Sequence, residues 1–150
     1  MVQNPYNTSI SAIVNPGSRT LELSQSSVGN PLSLGLLTEL KDYLKIYQDN
    51  TMVGTIIMAS ENKELFSQGL VMEELRENRN VVLLELAKVA TRMNHYKKPI
   101  VSVLGGEMTG TTLGLFSNAK YRLATPETRV RLDEIVGGFV PCGGLAWHMV

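Results

Sequence analysis

The sequence contains one cysteine, Cys142, among its 150 residues. A single cysteine excludes a disulfide within the chain, and chains without disulfides are typical of reducing, intracellular compartments. No apolar run approaches the roughly 18–20 residues that a membrane-spanning helix requires. The 14 basic and 14 acidic side chains leave no net charge, so the composition favours neither a nucleic-acid nor a membrane-surface partner.

The first 18 residues contain no acidic side chain and are rich in serine, threonine and asparagine. Mitochondrial transit peptides also lack acidic residues, but they are rich in arginine, and here the first basic residue is Arg19. Two interpretations stay open for this segment: a loose leader into the first strand, and a targeting peptide. The second predicts a mitochondrial location, and the first predicts a cytoplasmic one.

The length of 150 residues predicts one domain with a buried core, spanning residues 1–150. Residues 8–14 and 20–25 are expected to form a hairpin around the turn sequence Asn15-Pro16-Gly17-Ser18. Asn30 and Pro31 then indicate the start of a helix, with Asn30 as its N-cap.

Continuous apolar runs at residues 51–58 and 100–104 predict strands that are buried on both faces. Apolar residues at helical spacing predict a first helix through residues 32–47 and a second over residues 82–93. Further elements are expected as a polar loop at residues 61–69, a loop beginning at Gly105, a helical segment at 110–118, short strands at 121–124 and 128–132, and a helix from about Leu145. This succession of βα units predicts an α/β fold with a mostly parallel sheet.

Two loops, residues 66–70 and 105–110, each follow an expected strand and precede helical sequence. Loops in these positions can direct two backbone N–H groups at one point, which suits a reaction in which negative charge develops on a thioester oxygen. One preorganised donor at such an oxygen stabilises the transition state by about 2.7–4 kcal/mol.

Several short motifs, in this order and spacing, resemble the crotonase (enoyl-CoA hydratase/isomerase) superfamily. Asn30-Pro31-Leu32 is similar to the family's Asn-x-Leu, and Phe66-Ser67-Gln68-Gly69 to its Phe-Ser-Ala-Gly. Further along, the chain has Lys98-Pro99-Ile100-Val101-Ser102-Val103, Tyr121-Arg122-Leu123-Ala124-Thr125 and Pro141-Cys142-Gly143-Gly144, which resemble the family's Lys-Pro-Val-Ile-Ala, Phe-Arg-Ile-Ala-Thr and Pro-x-x-Gly-Gly.

The resemblance implies a crotonase-like spiral of ββα and βα units that lacks the family's C-terminal helical region. It further implies that the backbone N–H groups of Leu70 and Gly110 form an oxyanion hole and that Glu134 is the catalytic carboxylate. The ligand would be an acyl-CoA, with coenzyme A as part of the substrate rather than a resident cofactor. The family's C-terminal helices cover the acyl-CoA pocket and build a trimer. We therefore expect either that this chain is a fragment of a longer protein, or that another chain, in a homo-oligomer or a larger protein assembly, supplies the missing cover.

Several catalytic positions of the family carry other residues here. Leu113 stands where hydratases have a first glutamate, and leucine cannot transfer protons. Val71 replaces the aspartate that commonly follows the first oxyanion residue. Leu113-Gly114-Leu115 instead resembles the 3-hydroxyisobutyryl-CoA hydrolase branch, but Cys142 occupies the position of that branch's second acid. Thr109 and Thr111 stand in the family's glycine loop, where their side chains restrict the approach of a thioester.

Other candidate groups have weaker support. Glu107 and Asp133 are expected near the site as loop carboxylates, and His95 at a helix end, where its charge suits the dipole. Cys142 would act as a nucleophile only if its pKa were lowered. His148 has no neighbours at metal-ligand spacing, so no metal site is expected. Neither Ser67 nor Ser102 has a matching histidine, which argues against a related serine protease.

Two functions follow from these residues. The first is an acyl-CoA enzyme, most like a 3-hydroxyisobutyryl-CoA hydrolase or an enoyl-CoA hydratase with impaired acid–base residues. The second is a non-catalytic structural subunit of a larger assembly such as a mitochondrial ribosome. The retained Glu134 and Gly110 favour the first, and the changes at Val71, Leu113 and Cys142 favour the second.

Overall fold

The structure, a computed structural model, describes residues 9–24 and 29–148 of the chain. The expected leader up to residue 8, and Gln25 at the expected end of the second strand, lie outside the described residues. The elements in chain order are β1 (Ser9–Asn15), β2 (Ser18–Ser24), α1 (Leu34–Asp49), β3 (Thr55–Ser60), β4 (Leu65–Ser67), α2 (Met72–Asn94), β5 (Ile100–Leu104), β6 (Glu107–Thr109), α3 (Gly110–Phe116), β7 (Tyr121–Ala124), β8 (Arg129–Arg131), α4 (Asp133–Val136) and α5 (Leu145–His148).

The strands form two sheets. The larger sheet has the order β1-β2-β3-β5-β7, and the smaller has the order β4-β6-β8. Only β1 and β2 are antiparallel, and all other pairs of these sheets are parallel. Each turn of the chain adds one strand to the larger sheet, then one to the smaller sheet, then a helix. The architecture is therefore an α/β spiral of ββα units, as the sequence predicted.

The hydrophobic core lies between the larger sheet and helices α1 and α2. Strand β5 alternates buried and half-buried residues, and β3 has Ile56 and Met58 buried with half-buried neighbours. The expectation that these strands are buried on both faces is therefore confirmed for one face, whereas the other face is only half-buried. Helix α1 contributes a fully apolar stripe, because its four buried residues are leucines at helical spacing.

The first helix begins later than the sequence predicted. Ser33, not Asn30, is the N-cap, and its side chain accepts a hydrogen bond from Leu36 N–H at 3.1 Å. Asn30 has a left-handed backbone (φ 45°) and is buried, with its Nδ2 donating to Ser60 Oγ and to the carbonyl of Phe66. Asparagine is tolerated in both environments, so composition alone did not distinguish a cap from this buried bridge.

Two expected loops contain strands, and the second helix is longer than expected. The polar loop at residues 61–69 includes β4, and the loop beginning at Gly105 includes β6. Helix α2 starts at Met72 and leaves helical geometry once, at Asn78 (φ −136°, ψ 41°). The strands are only three residues long, which is too short for a period-two hydrophobic pattern to be recognised.

We predict that Phe116→Ala destabilises the fold strongly. Phe116 is 1% exposed and meets Phe66 edge-to-face, with ring centroids 5.0 Å apart. Removing a buried aromatic ring costs about 3–5 kcal/mol, whereas Val136→Ala, at a side chain that is 91% exposed, should change stability by less than about 0.5 kcal/mol. Urea unfolding of both variants measures the difference, and similar losses in the two would contradict the packing described.

Candidate functional site

A cavity of about 450 Å³ lies between the start of α2, the junction of β6 and α3, and the segment from α4 to Cys142. This volume falls within the range of small-molecule sites. Its lining is formed by Gln68, Leu70, Met72, Leu75, Arg79, Leu83, Thr109, Thr111, Asp133, Glu134, Gly137, Gly138, Phe139, Val140 and Cys142. The structure therefore gathers Leu70, Glu134 and Cys142 of the sequence-predicted site around one cavity.

The two glycine-containing loops meet at this cavity. Gly69 has a left-handed backbone (φ 84°), and a Cβ atom there would lie 2.4 Å from Thr109 Oγ1. A side chain at Gly69 would therefore clash with the end of β6. Thr109 is also the N-cap of α3, where its side chain accepts a hydrogen bond from Thr112 N–H. The threonine that replaces a family glycine thus fills the space between the loops.

The two expected oxyanion donors differ in their surroundings. Leu70 lines the cavity and pairs with Leu32 in a short parallel bridge. Gly110 is not among the lining residues, and a Cβ atom there would lie 2.7 Å from Leu132 Cδ2 and 3.3 Å from Glu134 Oε2. A larger residue at Gly110 would therefore require the side chain of Leu132 to move.

Backbone groups alternate in direction along β6. Glu107 N–H donates to the carbonyl of Glu64 on one side, and the carbonyl of Gly106 accepts from Arg129 N–H on the other. Because this alternation has a period of two, the N–H of Gly110 is directed toward β8, next to the Thr109–Arg131 pair. A thioester oxygen would compete there with the main chain of β8, so the oxyanion role of Gly110 stays a prediction.

Glu134 is held at the start of α3. Its Oε1 accepts a hydrogen bond from Thr111 N–H at 2.6 Å, where the helix dipole favours a negative charge. Its Oε2 is buried and has no hydrogen-bond partner among the described residues. One carboxylate oxygen is thus used by the fold, and the other is left without a donor.

Thr111 connects the carboxylate to the following loop. The residue is 2% exposed, and its Oγ1 accepts a hydrogen bond from Cys142 N–H at 3.1 Å. The sequence indicated only that a β-branched residue at this position restricts access. Its structural role depends on two partners that are distant in the sequence, Glu134 and Cys142, so no local pattern could reveal it.

Cys142 lacks the lowered pKa that a nucleophile would need. Burial raises the pKa of the Cys142 thiol above its ordinary value, and the negative charge of Glu134 raises it further. The Sγ lies 3.1 Å from the carbonyl oxygen of Val140 and donates to it. These surroundings favour the protonated thiol, so the lowered pKa that a nucleophilic role requires is absent.

The other substituted family positions lie away from the cavity. Leu113 packs against the hydrophobic core, and Val71 is 5% exposed at the start of α2. Neither lines the cavity. The leucine that replaces a catalytic glutamate is therefore used for core packing.

The remaining carboxylates form a surface ion pair network. Arg131 lies 2.7 Å from both Glu107 Oε1 and Asp133 Oδ2, and all three side chains are substantially exposed. Asp133 lines the cavity and Glu107 does not. Exposed pairs of this kind contribute little to stability. Among the described residues that line the cavity, Glu134 is then the one carboxylate with a buried oxygen that accepts no hydrogen bond.

The histidines and serines considered from the sequence have local partners. His95 Nδ1 lies 3.0 Å from the carbonyl of Thr91 at the end of α2, and His148 Nε2 lies 3.3 Å from Asn118 Oδ1. Ser67 and Ser102 are fully buried; Ser67 accepts from Gly69 N–H, and Ser102 donates to the carbonyl of Phe116. Neither serine is placed as a nucleophile.

Over the described ranges, no group of three or more His, Cys, Asp or Glu side chains is arranged to hold a metal ion. No helix in the described part of the chain is long and apolar enough to cross a membrane.

The sequence of residues 18–150 matches the family model described as enoyl-CoA hydratase/isomerase. The chain belongs to this family. This membership confirms the crotonase superfamily resemblance. Among curated relatives, the probable 3-hydroxyisobutyryl-CoA hydrolase 2 of Arabidopsis thaliana is 25% identical over 138 residues, covering 87% of this chain and 36% of that protein. The peroxisomal bifunctional enzyme of Homo sapiens is 31% identical over 113 residues, covering 75% of this chain and 15% of that protein.

Solved structures of the family share the fold. An enoyl-CoA hydratase from a Polaromonas species superposes with a TM-score of 0.85 at 18% identity, covering 95% of this chain and 58% of that one. Human enoyl-CoA hydratase domain-containing protein 3 gives a TM-score of 0.84 at 22% identity, covering 93% of this chain and 56% of that one. The family member described here thus spans little more than half of either structure.

We predict that Glu134→Gln lowers the pKa of Cys142. The charge of Glu134 is one of the two causes that raise this pKa, and glutamine removes it while keeping an acceptor for Thr111 N–H. Cys142 is the one cysteine of the chain, so the pH dependence of its alkylation by iodoacetamide reports its pKa directly. The alkylation profile of Glu134→Gln should move to lower pH, and that of Glu107→Gln should stay in place. An unchanged profile in Glu134→Gln would show that the charge of Glu134 does not affect the pKa of Cys142.

Proposed function

We propose that the chain binds acyl-CoA thioesters in this cavity and hydrolyses them, with Glu134 as the general base. The observation that carries the proposal is a carboxylate at a cavity wall with one buried oxygen that lacks a partner. An unpartnered buried acceptor costs about 1–3 kcal/mol. A water molecule held between this oxygen and a bound thioester would supply the missing hydrogen bond.

Two features support hydrolysis over hydration. The curated relative from Arabidopsis thaliana is named a probable 3-hydroxyisobutyryl-CoA hydrolase, and Leu113-Gly114-Leu115 resembles that branch. Hydration of an enoyl thioester uses a second proton-transfer group, but Leu113 cannot transfer a proton and the raised pKa of Cys142 makes its thiol a weak proton donor. A 3-hydroxyacyl thioester is therefore the substrate class that we favour.

The reaction needs few groups. Glu134 takes a proton from the water while the water oxygen bonds to the thioester carbon. The backbone N–H of Leu70 at the cavity wall stabilises the developing oxyanion. The N–H of Gly110 would add to this by exchanging the main chain of β8 for the oxyanion. The carbon–sulfur bond then breaks, and coenzyme A leaves as a thiolate that takes the proton back from Glu134. The products are the free acid and coenzyme A, with coenzyme A serving as part of the substrate and no separate cofactor.

A second candidate function is a non-catalytic subunit of a larger assembly, such as a mitochondrial ribosome. It is favoured by large apolar side chains that are exposed on one region of the chain, from β7 to α5. They are Tyr121, Leu123, Val130, Leu132, Ile135, Val136, Val140 and Trp147. Exposed apolar side chains of this number are typical of a surface that other protein covers, whether a further segment of the same protein, a second copy or another protein supplies that cover.

We also propose a mitochondrial location, which the second candidate function requires if the assembly is a mitochondrial ribosome. It rests on the scarcity of acidic residues before Arg19, and import of a fusion of the N-terminal segment to a fluorescent protein tests it directly.

We predict that Glu134→Gln abolishes most hydrolysis of 3-hydroxyisobutyryl-CoA. Loss of a general base lowers the rate by about 10²–10⁴-fold, while binding of the thioester should change little because glutamine preserves the side-chain volume. Steady-state release of free thiol measures kcat, and titration calorimetry with a thioether analogue measures binding.

Glu107→Gln is the matched control, because it neutralises a carboxylate that lies outside the cavity. Its turnover should stay within about two-fold of the unmodified protein, as is usual for surface substitutions. Equal turnover in the two variants would reject Glu134 as the base. Binding without turnover in the unmodified protein would favour the non-catalytic subunit, and absence of binding by the folded protein would reject the whole proposal.

A further inference from the structure

One wall of the cavity is a stripe along helix α2. Met72, Leu75, Arg79 and Leu83 line the cavity, two on each side of the departure from helical geometry at Asn78. Three of the four are apolar, as expected for a stripe that faces an apolar ligand. Arg79 is the exception, and it is the one basic side chain in the described lining of the cavity.

The guanidinium of Arg79 is held on the cavity side by an aromatic ring. Its Cζ lies 5.6 Å from the ring centroid of Phe139, a distance typical of a cation–π contact. Phe139 is itself fixed, because its N–H donates to the carbonyl of Glu134 at 2.7 Å. The positive charge also reaches the other wall, since it lowers the pKa of Cys142 against the two stronger effects that raise it.

Arg79 has no acidic partner in the described part of the chain. The nearby carboxylate of Asp133 pairs with Arg131, and Glu134 accepts from Thr111 N–H. Arg79 is exposed at the mouth of the cavity, so its guanidinium is accessible to a ligand. Its planar group is suited to bind a carboxylate through two parallel hydrogen bonds.

We propose that Arg79 selects acyl thioesters whose acyl chain carries a carboxylate, and that it binds this carboxylate inside the cavity. The inference rests on the proposed function, and it adds one feature to the 3-hydroxyacyl thioester proposed there: a carboxylate on the acyl chain. Glu134 and Arg79 then have separate tasks: Glu134 acts at the thioester, and Arg79 determines which acyl chain is bound.

Phosphate groups of coenzyme A offer the same anionic chemistry as a carboxylate, so the experiment separates these two sources. Two non-hydrolysable thioethers with acyl-side chains of equal length, S-butyl-CoA and S-(3-carboxypropyl)-CoA, are titrated calorimetrically into the unmodified 150-residue chain and its variants. Free coenzyme A is the third ligand. The variants are Arg79→Gln, Arg79→Lys and the control Arg76→Gln, since Arg76 lies on the same helix but outside the cavity lining.

We expect the unmodified protein to bind the carboxylated thioether at least about ten-fold more tightly than S-butyl-CoA, the size of effect typical of charge-assisted hydrogen bonds. Arg79→Gln should remove this preference and leave S-butyl-CoA binding within about two-fold. Arg79→Lys should retain part of the preference, because lysine keeps the charge without the bidentate geometry. Arg76→Gln should bind both ligands as the unmodified protein does.

The other outcomes overturn the inference in different ways. Equal weakening of all three ligands in Arg79→Gln would assign Arg79 to the phosphates of coenzyme A. Binding of S-butyl-CoA with no preference for the carboxylate would reject the carboxylate site and leave the proposed function standing. Failure of every ligand to bind the unmodified protein would reject both. Thermal unfolding of each variant establishes that the loss of binding does not come from loss of the fold.

Discussion

The parallel pairing of three short strands, β4, β6 and β8, is the constraint on which the candidate site depends. Each strand follows one strand of the larger sheet and leads into a segment that carries a site residue: Leu70, Gly110 or Glu134. Parallel strands end at a common edge of the sheet, so the pairing brings these three segments together although they are far apart in the sequence. The backbones approach so closely that a Cβ atom at Gly106 would lie 2.5 Å from the carbonyl oxygen of Glu64.

Glu134 combines a structural and a chemical capacity in one side chain. Its first oxygen satisfies Thr111 N–H at the start of α3, and this hydrogen bond sets the direction of the carboxylate. Its second oxygen is buried without a donor, and that orphaned acceptor is what makes the residue a candidate base. A residue of this kind is costly to keep, because a buried acceptor without a partner opposes folding. A water or ligand that donates a hydrogen bond to this oxygen would remove that cost.

The departures from the family pattern are structurally coherent. Leu113 adds an apolar side chain to the core, Thr109 fills the space above Gly69 and caps α3, and Thr111 accepts a hydrogen bond from the main chain of Cys142. Leu113 thus packs where a proton-transfer group is expected, and the two threonines form hydrogen bonds where glycines are expected to admit a thioester. Arg79 differs from these residues, because its guanidinium contacts only the ring of Phe139 and has no ion-pair partner in the described part of the chain, which leaves it available to a ligand.

The sequence by itself determined the family, the spiral of ββα units and several elements to the residue. Strands β5 and β7 match their predicted bounds, since Pro99, Gly105 and the change of hydrophobic pattern are local signals. The tertiary structure alone decided which side chains share the cavity. Asn30 is a buried bridge to Ser60 and Phe66, and Arg79 lines the same cavity as Glu134. Neither arrangement has a local sequence signature, because each joins segments that are far apart in the sequence. Only the folded chain brings the side chains of these segments close enough to interact.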